Sequence, residues 1–182
     1  DLPHSANIYV DGSALRTLDP GPAPPSSDVH PSDPPASRLE ILVEGMGRIN
    51  YGDRMIDRKG ITDRVTLGRM TLMNWEVFPL PMDRPFLKTL SFSKAPAADR
   101  PGVFFRAEIR LETAGDTYLD MGAWRKGVVW VNGHNLGRYW DAGPQRRLYC
   151  PAPFLKKGAN EILIFDLHRA TPAPVRGVRS LE

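Results

Sequence analysis

The sequence predicts an all-β chain, an antiparallel β-sandwich of jelly-roll type, and three observations carry that expectation. Eighteen prolines and sixteen glycines are spread through the 182 residues; at about 3 kcal/mol per interior proline, that spacing leaves no room for long helices. Between these breaks lie short runs of β-branched and aromatic residues, the composition of strands. Two of the runs end in Asp-Gly or Asn-Gly, dipeptides that tolerate positive φ at both central positions and so favour type I′ hairpins.

In chain order, strands are expected at Ala6 to Val10, Leu39 to Val43, Arg64 to Leu67, Val103 to Leu111, Thr117 to Met121, Val128 to Val131 and Glu161 to Leu167. Tyr9-Val10-Asp11-Gly12 closes the first, and Val10-Asp11-Gly12-Ser13-Ala14-Leu15 parallels Val131-Asn132-Gly133-His134-Asn135-Leu136. Shared hairpin grammar and a true repeat both account for six such positions; the second would mean two sandwiches. Residues 19–37 hold Pro20, Pro22, Pro24, Pro25, Pro31, Pro34 and Pro35 among Gly, Ala, Ser and Asp, and read as a solvated loop in polyproline II or disorder. Lys94 to Pro101 is a shorter break. Phe104, Arg106, Glu108 and Arg110 alternate with Phe105, Ala107, Ile109 and Leu111, the period of a half-buried strand. Ile162-Leu163-Ile164-Phe165 is apolar without interruption, which predicts a central strand covered on both faces. Ala170 to Glu182 shows no clear period.

Charge and motifs exclude several function classes. Lys plus Arg number 24 against 21 Asp plus Glu, a net charge of +3 with the signs interleaved, unlike the basic stripe of a nucleic-acid binder. No apolar run approaches the roughly 18 residues of a membrane span. The single cysteine, Cys150, excludes an internal disulfide and a cysteine-based zinc cage, and between Tyr149 and Pro151 it reads as a buried, inert thiol. His4, His30, His134 and His168 lack metal-ligand spacing, and neither a Gly-x-Ser-x-Gly elbow nor a glycine-rich phosphate loop occurs, so no metal and no cofactor are expected. Asp1-Leu2-Pro3-His4 is neither the basic nor the apolar part of a signal peptide, and the lack of an initiating Met suits a fragment or a processed chain. Glu40 with Glu44, and Glu108 with Glu112, stand roughly 13 Å apart along a strand, too far for the carboxylate pair of a glycosidase, which needs about 5–9.5 Å. Asn160-Glu161 reads as a turn and strand start.

One constellation has two readings. Trp124, Trp130, Tyr139, Trp140, Tyr149 and Phe154 cluster with Arg125, Asn135, Arg138 and Gln145. They suit either the core of a sandwich or an aromatic sugar platform flanked by hydrogen-bond donors.

The run from Leu119 to Trp140, with Gly143-Pro144-Gln145 and Leu148-Tyr149-Cys150-Pro151-Ala152-Pro153, resembles the C-terminal β-sandwich region of glycoside hydrolase family 35 β-galactosidases. Leu42 to Gly52, Lys59-Gly60-Ile61, Trp75 and Phe78-Pro79-Leu80 agree, so the resemblance covers most of residues 5–168. The departures are Gly45, where the family tends to have Asn, Cys150 in place of Val, and the inserted proline-rich loop. The resemblance implies that residues 1–74 form part of a first sandwich containing the 19–37 loop, and that 75–182 form a galactose-binding-like jelly roll. It implies a parent that hydrolyses terminal β-galactosides with retention, using two glutamates of a TIM barrel that matches nothing here, so no catalytic residue is carried over. The expected role is a structural and interface module for that barrel, with Arg48, Asn50 and Tyr51 at the interface. The alternative is a module binding galactose-containing glycan through Trp124, Asn135, Arg138, Tyr139 and Trp140. Neither nucleic acid nor membrane is expected as a partner, and a secreted, periplasmic or lysosomal setting is implied.

Overall fold

The computed structural model describes residues 5–10, 13–18, 39–45, 49–53, 55–56, 60–93 and 101–181. The Asp11-Gly12 turn, the proline-rich 19–37 loop, Arg48 and most of the Lys94 to Pro101 break lie outside the described residues. The chain divides into two units, Asp1–Phe78 and Pro79–Glu182.

In the first unit, strands β1 (Ser5–Val10), β2 (Ser13–Leu18) and β3 (Leu39–Glu44) form an antiparallel sheet in the order β2-β1-β3. Val10 pairs with Ser13, so only two residues separate β1 from β2, the loop length expected for a tight hairpin. The strand expected at Arg64 to Leu67 shortens to β4 (Thr66–Leu67), paired with β5 (Met70–Thr71) across a turn in which Gly68 takes φ +58°. Two residues per strand give little ladder, and the rest of the 49–78 stretch has no regular structure among its described residues.

The second unit is an antiparallel sandwich. Its larger sheet contains β6 (Val103–Leu111), β8 (Lys126–Val131), β9 (His134–Trp140) and β11 (Gly158–Asp166), in the order β6-β11-β8-β9. The smaller contains β7 (Thr117–Asp120), β10 (Arg147–Cys150) and β12 (Arg176–Val178), in the order β10-β7-β12. Between the sheets lie Leu119, Met121, Trp124, Val129, Val131, Tyr139, Leu148, Cys150, Ile162 and Ile164, with Phe105, Ile109 and Leu111 packed against them. The β6 residues chosen are the alternate set that the period of two places on one face. Burying side chains of this size stabilises the unit by roughly 1.5–3 kcal/mol each before the entropy of ordering them.

The central position of β11 explains its unbroken apolar run. Ile162 and Ile164 enter the core, while Leu163 and Phe165 are buried on the opposite face. That face is covered by a feature the sequence reading did not anticipate, a six-residue helix α1 (Arg84–Thr89). Asp83 caps it by accepting from the Phe86 N–H at 2.9 Å, and a proline follows in the first turn, where its missing N–H costs nothing. Phe86 reaches Phe104 (6.0 Å between centroids), which in turn meets Phe165 (4.6 Å) and Trp130 (6.3 Å). Among the strands not named from the sequence, β2 and β9 are the return strands of its two hairpins, while β5, β10 and β12 were not anticipated; β12 lies in the tail that showed no period.

Candidate functional site

The β8–β9 hairpin is built around Asn132 and Gly133, whose φ angles of 49° and 79° are those of a type I′ turn. Its strands are then tied to the rest of the unit by side chains. The Asn132 carboxamide donates to the Phe154 carbonyl (2.7 Å) and to Asn160 Oδ1 (2.9 Å), and accepts from the Glu161 N–H (3.0 Å). Asn160, fully buried, also accepts from Lys156 N and donates to the carbonyls of Lys156 and Gly158. The His134 ring stacks on Phe154 at 4.1 Å, nearly parallel. A turn that sets strand register is therefore bolted to the start of the central strand, and Asn160-Glu161 is part of that bolt.

A second polar cluster lies at the other end of β11. The Asp166 side chain is completely buried, and its carboxylate accepts four hydrogen bonds: from the N–H groups of Arg125, His168 and Arg169 and from the Tyr139 hydroxyl, at 2.8–3.0 Å. A buried carboxylate is tolerable when so completely satisfied. Burial first, then the Asp166 charge, holds the Tyr139 phenol far above its ordinary range, so it stays a neutral donor. Gly127, opposite Tyr139 in β9 and Asp166 in β11, leaves room for this cluster: a Cβ there would overlap the Phe165 carbonyl and lie 2.7 Å from the Tyr139 hydroxyl.

The residues read as a sugar platform are not gathered on one face. Trp124 is 2% exposed, its ring edge-on to Phe105, and its indole N–H donates to the Pro174 carbonyl at 3.0 Å. Tyr139 is buried in the cluster above. Asn135 is exposed, and its side chain accepts from the Gly137 N–H at 2.7 Å, supporting the bend where Gly137 takes φ +113°. Arg138 and Trp140 alternate with Tyr139 and are half-buried; the Trp140 ring carries the Lys126 ammonium 4.3 Å from its centroid. Asn50 and Tyr51 are exposed.

Chemistry-bearing groups elsewhere are few. Cys150 is a buried free thiol, pushed up to about 11 by burial and by nearby Asp116. Among the described residues, no three His, Cys, Asp or Glu side chains are grouped to hold a metal. Strand pairing does bring together two carboxylates that local spacing could not reveal, Glu108 and Glu161, directly opposite each other. Both are exposed, and Glu108 is paired with Arg110 at 3.1 Å. They lack the apolar enclosure that keeps a glycosidase acid protonated. The second unit also has an open groove of about 390 Å³ between α1 and the outer face of the larger sheet.

The second unit is a sandwich whose buried polar groups are spent on turns and strand ends, the architecture of an all-β module. Residues 1–81 match the family model described as "Beta-galactosidase, first all-beta domain", and residues 102–160 that described as "Beta-galactosidase, galactose-binding domain". Similar proteins include the human "Beta-galactosidase-1-like protein 2", 39% identical over 140 residues (74% of this chain, 22% of the relative). A "Beta-galactosidase" of Xanthomonas manihotis is 41% identical over 152 residues (82% and 24%), and one of Bos taurus is 38% identical over 152 (72% and 23%). The chain belongs to the β-galactosidase family, as non-catalytic β-domains spanning less than a quarter of the length of these relatives.

Proposed function

We propose that this chain is a structural and interface module that supports the catalytic TIM barrel of a β-galactosidase, and that it has no glycosidase activity by itself. The observation that carries the reading is the apolar surface of the first unit. Tyr51 (88% exposed), Ile56 (89%), Val77 (82%) and Phe78 (72%) stand in solvent, joined by Met55, Ile61, Met70 and Met73. Soluble monomers scatter such residues singly; concentration in one short stretch marks a surface that something covers. Asn50 and Tyr51 fall at its start, where an interface with the barrel was expected. In the second unit Trp124, Trp130 and Tyr139 are buried, the two tryptophans each 2% exposed, which supports packing over a galactose platform at those positions, while Tyr149 is exposed. The parent polypeptide is then a β-galactosidase, with terminal β-galactosides as substrates.

The test is an assay of the purified chain on a chromogenic β-galactoside. No turnover above buffer is expected. Turnover that disappears with Glu108→Gln or Glu161→Gln would overturn the reading.

A further inference from the structure

The β8–β9 turn holds a reactive pair that the interface reading leaves unused: Asn132 is the only asparagine of the chain followed by glycine. Glycine has no Cβ to keep its backbone nitrogen away from the preceding side chain, so this pair is the one best suited to spontaneous deamidation. The folded chain opposes that reaction. Attack needs the Asn132 side-chain carbonyl carbon to swing towards the Gly133 nitrogen, and the carboxamide is held by three hydrogen bonds, to Phe154, Asn160 and Glu161, at 2.7–3.0 Å. Their partners lie 22, 28 and 29 residues away in the chain, so the lock exists only while the hairpin is docked on Phe154 and β11. The lock also demands an amide. Asn132 Nδ2 supplies both donors, and Asn160 cannot turn its own nitrogen towards the hairpin instead. Its Oδ1 also accepts from Lys156 N (2.9 Å), and its Nδ2 donates to the carbonyls of Lys156 (2.8 Å) and Gly158 (3.0 Å). Asn160 is 0% exposed, so a mismatch at its oxygen is costly.

We propose that Asn132 is a modification site gated by the fold: it deamidates when the hairpin leaves its seat, and the acid that forms keeps the hairpin from returning. The Gly133 nitrogen bonds to the Asn132 side-chain carbonyl carbon, the bond from that carbon to Nδ2 breaks, and Nδ2 departs as ammonia with the Gly133 amide proton. Water then opens the cyclic imide at either carbonyl, giving aspartate or isoaspartate with no change of oxidation state. An aspartate carboxylate here offers acceptors alone to the Phe154 carbonyl and to Asn160 Oδ1, which are themselves acceptors. Isoaspartate adds a methylene to the backbone of a two-residue turn in which Val131 pairs with His134, and a turn of altered length breaks the register of β8 and β9. Opening of the second unit thereby becomes one-way. This site does not depend on the interface reading, which rests on the first unit.

Peptide mapping by mass spectrometry of the 182-residue chain, kept at pH 8 in native buffer and in guanidinium chloride, tests the proposal. Asn132 should lose its amide at least about tenfold faster in denaturant, since the folded rate is scaled down by the small open fraction. Asn74 and Asn135, followed by the bulky Trp75 and Leu136, should stay largely amidated in both. On removal of denaturant, deamidated Asn132 should collect in the fraction without native near-ultraviolet dichroism. Asn132→Asp imitates one product. Two facing acceptors raise the introduced carboxyl above the ordinary carboxylate range when folded. Its melting deficit against the parent should therefore be largest at pH 7 and shrink towards pH 4, where the protonated group can donate. Asn132→Gly, which suits the turn and carries no carboxyl, should show no such shrinkage. Equal amide loss in both buffers, deamidated chain that regains the parental melt, or an Asn132→Asp deficit unchanged between pH 7 and pH 4 would overturn the proposal.

Discussion

Replacing Asp166 by alanine isolates the largest buried polar commitment in the second unit. The carboxylate is fully buried and accepts from three backbone N–H groups and the Tyr139 hydroxyl. Alanine orphans the N–H groups of Arg125, His168 and Arg169, whereas Tyr139 keeps the Phe165 carbonyl at 3.0 Å. An unsatisfied buried donor costs about 1–3 kcal/mol. These three are only part-buried, which puts the total near the low end, about 3–5 kcal/mol. In a unit of this size that lowers the melting midpoint by roughly 10 °C or more. Asparagine is milder. Its amide can donate to the Tyr139 oxygen while Tyr139 donates to Phe165, leaving the Arg125 N–H alone without an acceptor, at about 1–3 kcal/mol. The assay is differential scanning calorimetry alongside near-ultraviolet circular dichroism, since Trp124, Trp130 and Trp140 all report on this unit. The order expected is parent, Asp166→Asn, then Asp166→Ala. An alanine variant melting within about 3 °C of the parent would refute the reasoning.

Gly127→Ala should abolish a folded second unit, because the added Cβ meets the Phe165 backbone and not a movable side-chain end; recovery of soluble chain with parental near-ultraviolet dichroism would count against this. Gly133→Val, at φ 79° and beside Arg84, should cost about 1–2 kcal/mol and lower the midpoint by several degrees, read by the same calorimetry; a parental melt with loss of saccharide binding would make the turn a ligand loop. Alkali should destabilise the chain. Cys150, pushed up to about 11, and Tyr139, raised further, both hold their protons more tightly folded than unfolded. Their stabilisation is complete below the ordinary thiol and phenol values and is lost as pH rises from about 9 upward. A midpoint constant from pH 8 to 11 would contradict that sign. The Cys150 thiol should also resist a thiol-specific chromogenic reagent at pH 8 until the chain is unfolded.

Much of the second unit was legible because its signals are local. Alternation placed Phe105, Ile109 and Leu111 inward, the unbroken run at Ile162 placed β11 at the centre, and Asn132-Gly133 gave the turn. β9 was legible only as the return strand of the Asn132-Gly133 hairpin, because one irregularity interrupts its alternation: the register shifts between Val129 and Trp130, beside Gly137 at positive φ. Helix α1 escaped because it is six residues long and held by tertiary contact of Phe86 with Phe104, which no periodicity announces. Asp166, Asn160 and Gly127 are invisible as single residues. An Asp closing an apolar strand, Phe165-Asp166-Leu167, was the one available hint. Glu108 opposite Glu161, like the groove rim, depends on strand pairing that the sequence does not spell out.

The central claim is that the apolar stretch around Tyr51, Ile56, Val77 and Phe78 is covered by the remainder of a larger β-galactosidase polypeptide. Carbene footprinting read by mass spectrometry tests it most directly. The 182-residue chain is labelled alone and again when joined to the catalytic portion of a family member. The account predicts that Tyr51, Met55, Ile56, Met73, Val77 and Phe78 are labelled strongly in the chain alone and lose most of that label in the joined polypeptide, while exposed Tyr149 of the second unit serves as the comparison. Equal labelling of the stretch in both would contradict it.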